Sequence, residues 1–181
     1  MLTRNADTCP NVGRLTEELM IQAGFNNGEY QNVYTSNDQI DQVFSHDSVS
    51  GVSFTGSSKG GALIAEKAGR YLKRAVMELG GNDAFVVLAD GDVNLAVSAA
   101  IRGRSTNAGQ TCFSPKRFII AKNHYESFRT KLIEALIQIK FGDPMDRDTK
   151  MGPLARDDLH DNLTRQLEEL PKSYNIFFQR S

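Results

Sequence analysis

Two stretches of this chain carry residue types suited to covalent chemistry on a carbonyl. "NAGQTCFSPKRFII", residues 107 to 120, sets Cys112 between a glycine-bearing approach and an apolar run. A cysteine thiolate is a strong nucleophile, and the amide of the same residue can donate to a developing oxyanion. "MELGGND", residues 77 to 83, ends an apolar run with Glu78, followed by Leu79, Gly80 and Gly81. A carboxylate so placed can act as general base on water in a second step. Each has a plainer reading: a lone cysteine is more often a small buried residue, and a strand-end carboxylate can simply be solvated. A third stretch, "FTGSSKGG" at 54 to 61, puts Gly56, Gly60 and Gly61 at a strand-to-helix turn. Free amides and the positive end of a helix dipole suit a phosphate there, with Ser57 adding a hydroxyl, although a tight structural turn would look the same. None of His46, His124 and His160 has a motif around it, which disfavours a Cys-His dyad. Arg102, Arg104, Lys116 and Arg117 read as solvated element ends.

The elements that must position these residues follow from periodicity. Val12, Leu15, Leu19 and Ala23 predict a helix over about Asn11 to Ala23, stopped by Gly24. "YQNVYT" reads as a short strand and "SNDQIDQVFSH" as a helical turn with Ile40 and Val43 inward. "VSGVSFTG" is a strand running into the helix "SSKGGALIAEKAGRYLK". "RAVMEL" and "DAFVVLA" are strands split by the "GGND" turn. "DVNLAVSAAIRGRS" is a helix with Asp92 as N-cap, "KRFIIA" a strand, "YESFRTKLIEALIQI" an amphipathic helix and "ARDDLHDNLTRQLEEL" a polar one. Strands alternating with helices argue for an α/β fold with a largely parallel sheet.

Composition narrows the function class. The chain has 181 residues, 40% of them hydrophobic, and a formal net charge of -1. No basic excess points to nucleic acid or an anionic membrane. The longest apolar runs, Ala84 to Ala89 and Phe118 to Ala121, are too short to span a bilayer. The amino terminus lacks the apolar core of a signal peptide. Cys9 and Cys112 lie far apart and match no zinc spacing, so no metal site is expected and a reducing cytoplasm is the expected setting. After Pro171, "KSYNIFFQRS" follows as a tail with no element to cover Ile176, Phe177 and Phe178.

Taken together, "FTGS....G", "ELGGND" and "GQTC", in that order and with Glu78 and Cys112 at the usual separation, resemble the NAD(P)-dependent aldehyde dehydrogenase superfamily. "GQTCFSPKRFII" with "FGDPMDRDTKMGPLAR" is most similar to its succinate-semialdehyde dehydrogenase branch. The resemblance covers residues 1 to about 170. It implies an α/β fold in which residues 1–78 are the C-terminal part of a Rossmann-type NAD-binding domain. Residues 79–170 would be the N-terminal part of the catalytic, cysteine-bearing domain, and 171–181 a tail outside the family pattern.

The resemblance also implies roles. Cys112 matches the catalytic nucleophile and Glu78 the general base. Gly56, Ser57 and Gly61 match the turn near the pyrophosphate, and Leu79 the residue whose carbonyl meets the nicotinamide amide. Arg4 and Asp7 stand where the family places a lysine and a glutamate that reach the adenosine ribose. An acid there favours free ribose hydroxyls over a 2′-phosphate, so NAD is expected ahead of NADP. Thr106, six residues before Cys112, stands where some succinate-semialdehyde enzymes carry a carboxylate-binding arginine. The family's oxyanion asparagine falls before Met1, and its nicotinamide-ribose glutamate and oligomerisation strand fall after Ser181. The expectation is the middle piece of an enzyme more than twice as long, whose full-length relatives are homo-oligomers acting on a small aldehyde, and which is inactive alone. The competing expectation is a non-catalytic fragment or a split-gene subunit that pairs with another chain. A cut sheet would leave edges and apolar faces to be covered.

Overall fold

The computed structural model describes residues 1–170 and 174–177; most of the expected tail, 171–173 and 178–181, lies outside the described residues. The chain divides into two compact units, Met1–Leu79 and Gly80–Ser181.

The first unit contains β1 (Leu2–Thr3), α1 (Pro10–Gln22), β2 (Gln31–Asn32), a 3-10 turn at Asn37–Gln39 leading into α2 (Ile40–Ser45), β3 (Gly51–Thr55), α3 (Ser58–Arg70) and β4 (Arg74–Glu78). β1 pairs in parallel with β2, and β3 with β4 in register from Gly51↔Arg74 to Thr55↔Glu78. A helix bridging two parallel strands is the connection such pairs need. Phe44, Ile64 and Ala68 are buried, and Ile40, Val43, Val52, Phe54 and Met77 pack against them. Ile64 and Ala68 are one helical turn apart on α3, while Val52 and Phe54 alternate onto one face of β3. Ile40 and Val43 thus point inward as expected. The two-residue β1 had no signal in the sequence.

α1 forms where expected but packs differently. The residues that define its periodicity, Val12, Leu15 and Leu19, are exposed at 56%, 50% and 52%. The helix buries Gly13 instead. A β-carbon there would run into the side chains of Asn5 and Asn32, so the backbone of α1 lies directly on β2.

The second unit contains β5 (Ala84–Val87), α4 (Val93–Ser105), a 3-10 turn at Thr106–Gly109, β6 (Arg117–Ile120), α5 (Tyr125–Ile137) and α6 (Asp157–Glu168). β5 and β6 pair in parallel from Ala84↔Arg117 to Val87↔Ile120. Asp92 caps α4 as expected, its carboxylate accepting from the Asn94 and Leu95 amides at 2.8 and 3.0 Å. Val87, Val97, Ala100 and Phe128 form the core, with Phe85, Phe118, Ile120 and Leu132 against it. The rings of Phe85, Phe118 and Phe128 lie 5.4 to 6.4 Å apart, within the range for tilted aromatic packing. The alternate residues Val86 and Ile119 are exposed. Of the tail, Phe177 stacks beneath the Arg129 guanidinium of α5, 4.7 Å from the ring centroid. No helix among the described residues is long and apolar enough to cross a membrane.

α3 ends in an arrangement normally reserved for glycine. Leu72 takes φ 54 while the Lys73 amide bonds back to the Ala68 carbonyl at 2.9 Å. Its side chain is 93% exposed and contributes little packing. Leu72→Gly should therefore raise stability by about 0.5–1 kcal/mol, since relief of left-handed strain exceeds the added chain entropy. Urea denaturation of the 181-residue chain checks this; an unchanged or lower midpoint would contradict it.

Candidate active site

The glycine turn of the first unit is assembled by packing. Ser57 caps α3, its hydroxyl accepting from the Gly60 amide at 3.1 Å. The hydroxyl is thus committed as an acceptor with its proton still available, and the Ser58 and Lys59 amides remain at the first turn, where a helix has no internal partners for them. The Phe54 ring covers the turn: a β-carbon on Gly56 would stand 2.7 Å from it, and one on Gly60 2.9 Å. Gly61 is overlaid by the Leu79 side chain so closely that a β-carbon would collide with it. The Gly56 amide donates to the Glu78 carbonyl at 3.0 Å. Gly56, Ser57, Gly61, Glu78 and Leu79 are therefore one cluster at the ends of β3 and β4, with the Glu78 side chain exposed.

Arg4 and Asp7 also meet. The Arg4 guanidinium donates to Asp7 Oδ1 at 2.9 Å and to the Thr35 carbonyl at 2.7 Å. The Asp7 side chain is 88% exposed. Both residues line a cleft of about 190 Å³ with Asn5, Pro10, Val33 and Tyr34. An anchored guanidinium beside an open carboxylate offers both a donor and an acceptor to a polar ligand.

Cys112 belongs to the second unit, in the loop between α4 and β6. Its thiol is free and the residue is exposed. The approach is strained: Asn107 and Ala108 take φ 51 and 54, and Gly109 follows at φ 76. A non-glycine residue in the left-handed region is disfavoured by roughly 1–2 kcal/mol, so neighbours must hold it there. Gln110 does so, bonding the Asn107 carbonyl through its backbone amide at 3.0 Å and its side-chain amide at 2.9 Å. Gln110 Oε1 accepts in turn from the Ala155 amide at 3.0 Å. Thr106 folds its hydroxyl back onto the Arg102 carbonyl at 2.6 Å.

Beyond the cysteine, the Ser114 amide bonds the Thr111 carbonyl at 3.2 Å, closing a turn with Cys112 inside it. Gly81 packs on this turn: a β-carbon on it would stand 2.9 Å from the Cys112 carbonyl oxygen. The Gly81–Asp83 strand lead-in is fastened to the far side of the loop. Lys116 Nζ donates to the Gly81 carbonyl, and the Arg117 guanidinium donates to the Asn82 carbonyl at 2.8 and 3.1 Å. Both cations are exposed, as expected from the sequence, and in addition each donates to a carbonyl of this lead-in. Arg104 is also engaged, donating to Ser114 Oγ at 3.1 Å. What could have flagged them is their place immediately around the cysteine loop, where any cation meets turn carbonyls left without ladder partners. Among the described residues no group of three or more His, Cys, Asp and Glu side chains could hold a metal ion.

The sequence profile described as "Aldehyde dehydrogenase family" matches residues 1–176. A succinate semialdehyde dehydrogenase of Escherichia coli (strain K12), named for NAD(P)+, is 39% identical over 93% of this chain and 36% of its own length. The succinate-semialdehyde dehydrogenase of Deinococcus radiodurans, named for NADP(+), is 38% identical over 93% of this chain and 35% of its own. The crystal structure of succinic semialdehyde dehydrogenase from Streptococcus pyogenes in complex with NADP+ superimposes with a TM-score of 0.88 at 39% identity, covering 93% of this chain and 37% of that one. The chain thus spans about a third of the length of the curated relatives it matches. By sequence and by fold, it belongs to the aldehyde dehydrogenase family.

Proposed function

We propose that this chain supplies the nucleophile, the base and part of the cofactor cradle of an enzyme that oxidises a small aldehyde, succinate semialdehyde by branch, to its carboxylic acid. The observation that carries this is the Cys112 turn, an exposed thiol on a strained loop held on both sides. The Cys112 thiolate adds to the aldehyde carbon, forming a C–S bond and placing negative charge on oxygen, which the cysteine amide is suited to receive. A nicotinamide cofactor held there would supply the hydride acceptor, and the oxidised carbon would stay on Cys112 as a thioester. Glu78 removes a proton from water, hydroxide attacks the thioester, and the acid departs with the thiolate regenerated. The residues present fit such a cofactor: the Ser57-capped start of α3 suits pyrophosphate, the Leu79 carbonyl the nicotinamide amide, and the Arg4–Asp7 cleft the ribose. In this reading residues 1–78 are the end of a cofactor domain and 79–170 the start of the cysteine-bearing domain. Two unpaired thiols suit a reducing cytoplasm.

A second reading, a subunit that pairs with another chain, is favoured by the exposed Val76, Val86 and Ile119 on the parallel strands. Parallel strands are ordinarily covered on both faces.

The direct test grafts residues 1–169 in place of the matching segment of the Escherichia coli relative. Turnover of succinate semialdehyde with NAD, abolished by Cys112→Ala and reduced at least 100-fold by Glu78→Gln, is expected on the order of general-base losses. A folded, cofactor-binding graft without turnover would refute the assignment. Residues 1–181 alone should form no NADH above a Cys112→Ala control, because loss of even one oxyanion donor slows such a step about 100- to 1,000-fold.

In the same graft NAD should be preferred to NADP. Asp7→Ser should shift that preference toward NADP by roughly fivefold, the scale of one screened charge contact. Better NADP turnover before the substitution, or no shift after it, would remove Asp7 from cofactor choice.

A further inference from the structure

We propose that Arg104 is a positioning residue for the Cys112 turn and acts through Ser114; the inference rests on Cys112 being the nucleophile. Ser114, two residues beyond the cysteine, is completely buried, the one buried polar side chain among the described residues. A hydroxyl in that setting is retained only if its hydrogen bonds are made. Both are: Ser114 Oγ accepts from Arg104 Nη1 at 3.1 Å and donates to the Gly103 carbonyl at 3.1 Å. The far side of the loop is tied to the last turn of α4 by this closed chain.

The same guanidinium also meets the near side. A β-carbon built on Gly109, three residues before the cysteine, would stand 3.3 Å from Arg104 Cζ and 3.4 Å from Nη1. One planar group therefore touches the loop at Gly109 and at Ser114 and spans the base of the turn that carries Cys112. Arg104 stays exposed to solvent while its guanidinium lies against Gly109, next in sequence to the left-handed Asn107 and Ala108, which need outside support to persist. Without the bracket those residues can relax to ordinary backbone angles, and the thiol no longer projects from a fixed turn.

The test is iodoacetamide alkylation of the full chain, followed residue by residue by mass spectrometry, with Cys9 of the other unit as internal reference. In the unmutated chain Cys112 should react faster than Cys9. Arg104→Ala and Ser114→Ala should each lower the Cys112-to-Cys9 rate ratio by about tenfold, short of the loss that accompanies a full ångström of misplacement. The double variant should be no worse than either single one, as for two residues acting as a unit. Arg104→Lys, which keeps one donor for Ser114, should restore most of the ratio. Ser114→Ala removes a single oxygen, so it reports even if the arginine variant folds poorly. A ratio near one in the unmutated chain overturns the nucleophile assignment and this inference with it. A high ratio that ignores both substitutions, falls additively, or stays low in Arg104→Lys overturns this inference alone.

Discussion

The second unit is organised by one close approach, the α-carbon of Gly81 against the carbonyl of Cys112, with no room for a side chain between them. Once those two backbones touch, the chain on either side is brought into line. The Lys116 amide reaches the Asp83 carbonyl at 3.4 Å, the Lys116 and Arg117 side chains reach the Gly81 and Asn82 carbonyls, and Ala84 enters the ladder opposite Arg117. The parallel register of β5 and β6 and the placement of the reactive turn are thus one event. A strand slipped by one residue would turn Phe85 and Phe118 away from Phe128 and also pull Gly81 off the cysteine turn.

The first unit uses the same strand-end economy. In the β3–β4 register Thr55 lies opposite Glu78, so the chain leaving β3 turns through Gly56 directly beside the end of β4. The Gly56 amide takes the Glu78 carbonyl as its partner, and Leu79 closes over Gly61. Glycines at these points are required by what lies on top of them, and the phosphate-suited amides of α3 are a consequence of the same turn. In α/β folds, ligands gather where parallel strands end and crossover connections begin.

Much of this was legible in residue patterns, for identifiable reasons. Ile64 and Ala68, Val52 and Phe54, and the Asp92 cap announce their elements because local periodicity and local hydrogen bonding decide them. The family motifs were legible because "ELGGND" and "GQTC" each compress several backbone demands into a few residues. What the sequence hid was determined by contacts distant along the chain. Val12, Leu15 and Leu19 gave α1 its helical signature, yet Gly13 is the residue it buries, since Asn5 and Asn32 come to it from elsewhere. β1 is two residues long and exists only because β2 lies beside it. Ser57 read as a phosphate donor, whereas its first engagement is the Gly60 amide. Lys116 and Arg117 read as solvated charges and are exposed, but nothing local shows that they also serve the Gly81 and Asn82 carbonyls, some 35 residues upstream.

Each of the two units has its own core. Phe44, Ile64 and Ala68 hold the first unit, and Val87, Val97, Ala100 and Phe128 the second, with no buried residue shared between the clusters. The Arg4–Asp7 pair hangs on Thr35, in the first unit. The Cys112 turn hangs on Gly103, Arg104, Gly109 and Gln110, all in the second. Each of these arrangements is held by residues of its own unit. The strain at Asn107 and Ala108 is held locally: Gln110, three residues on, bonds the Asn107 carbonyl through both its backbone and its side-chain amide.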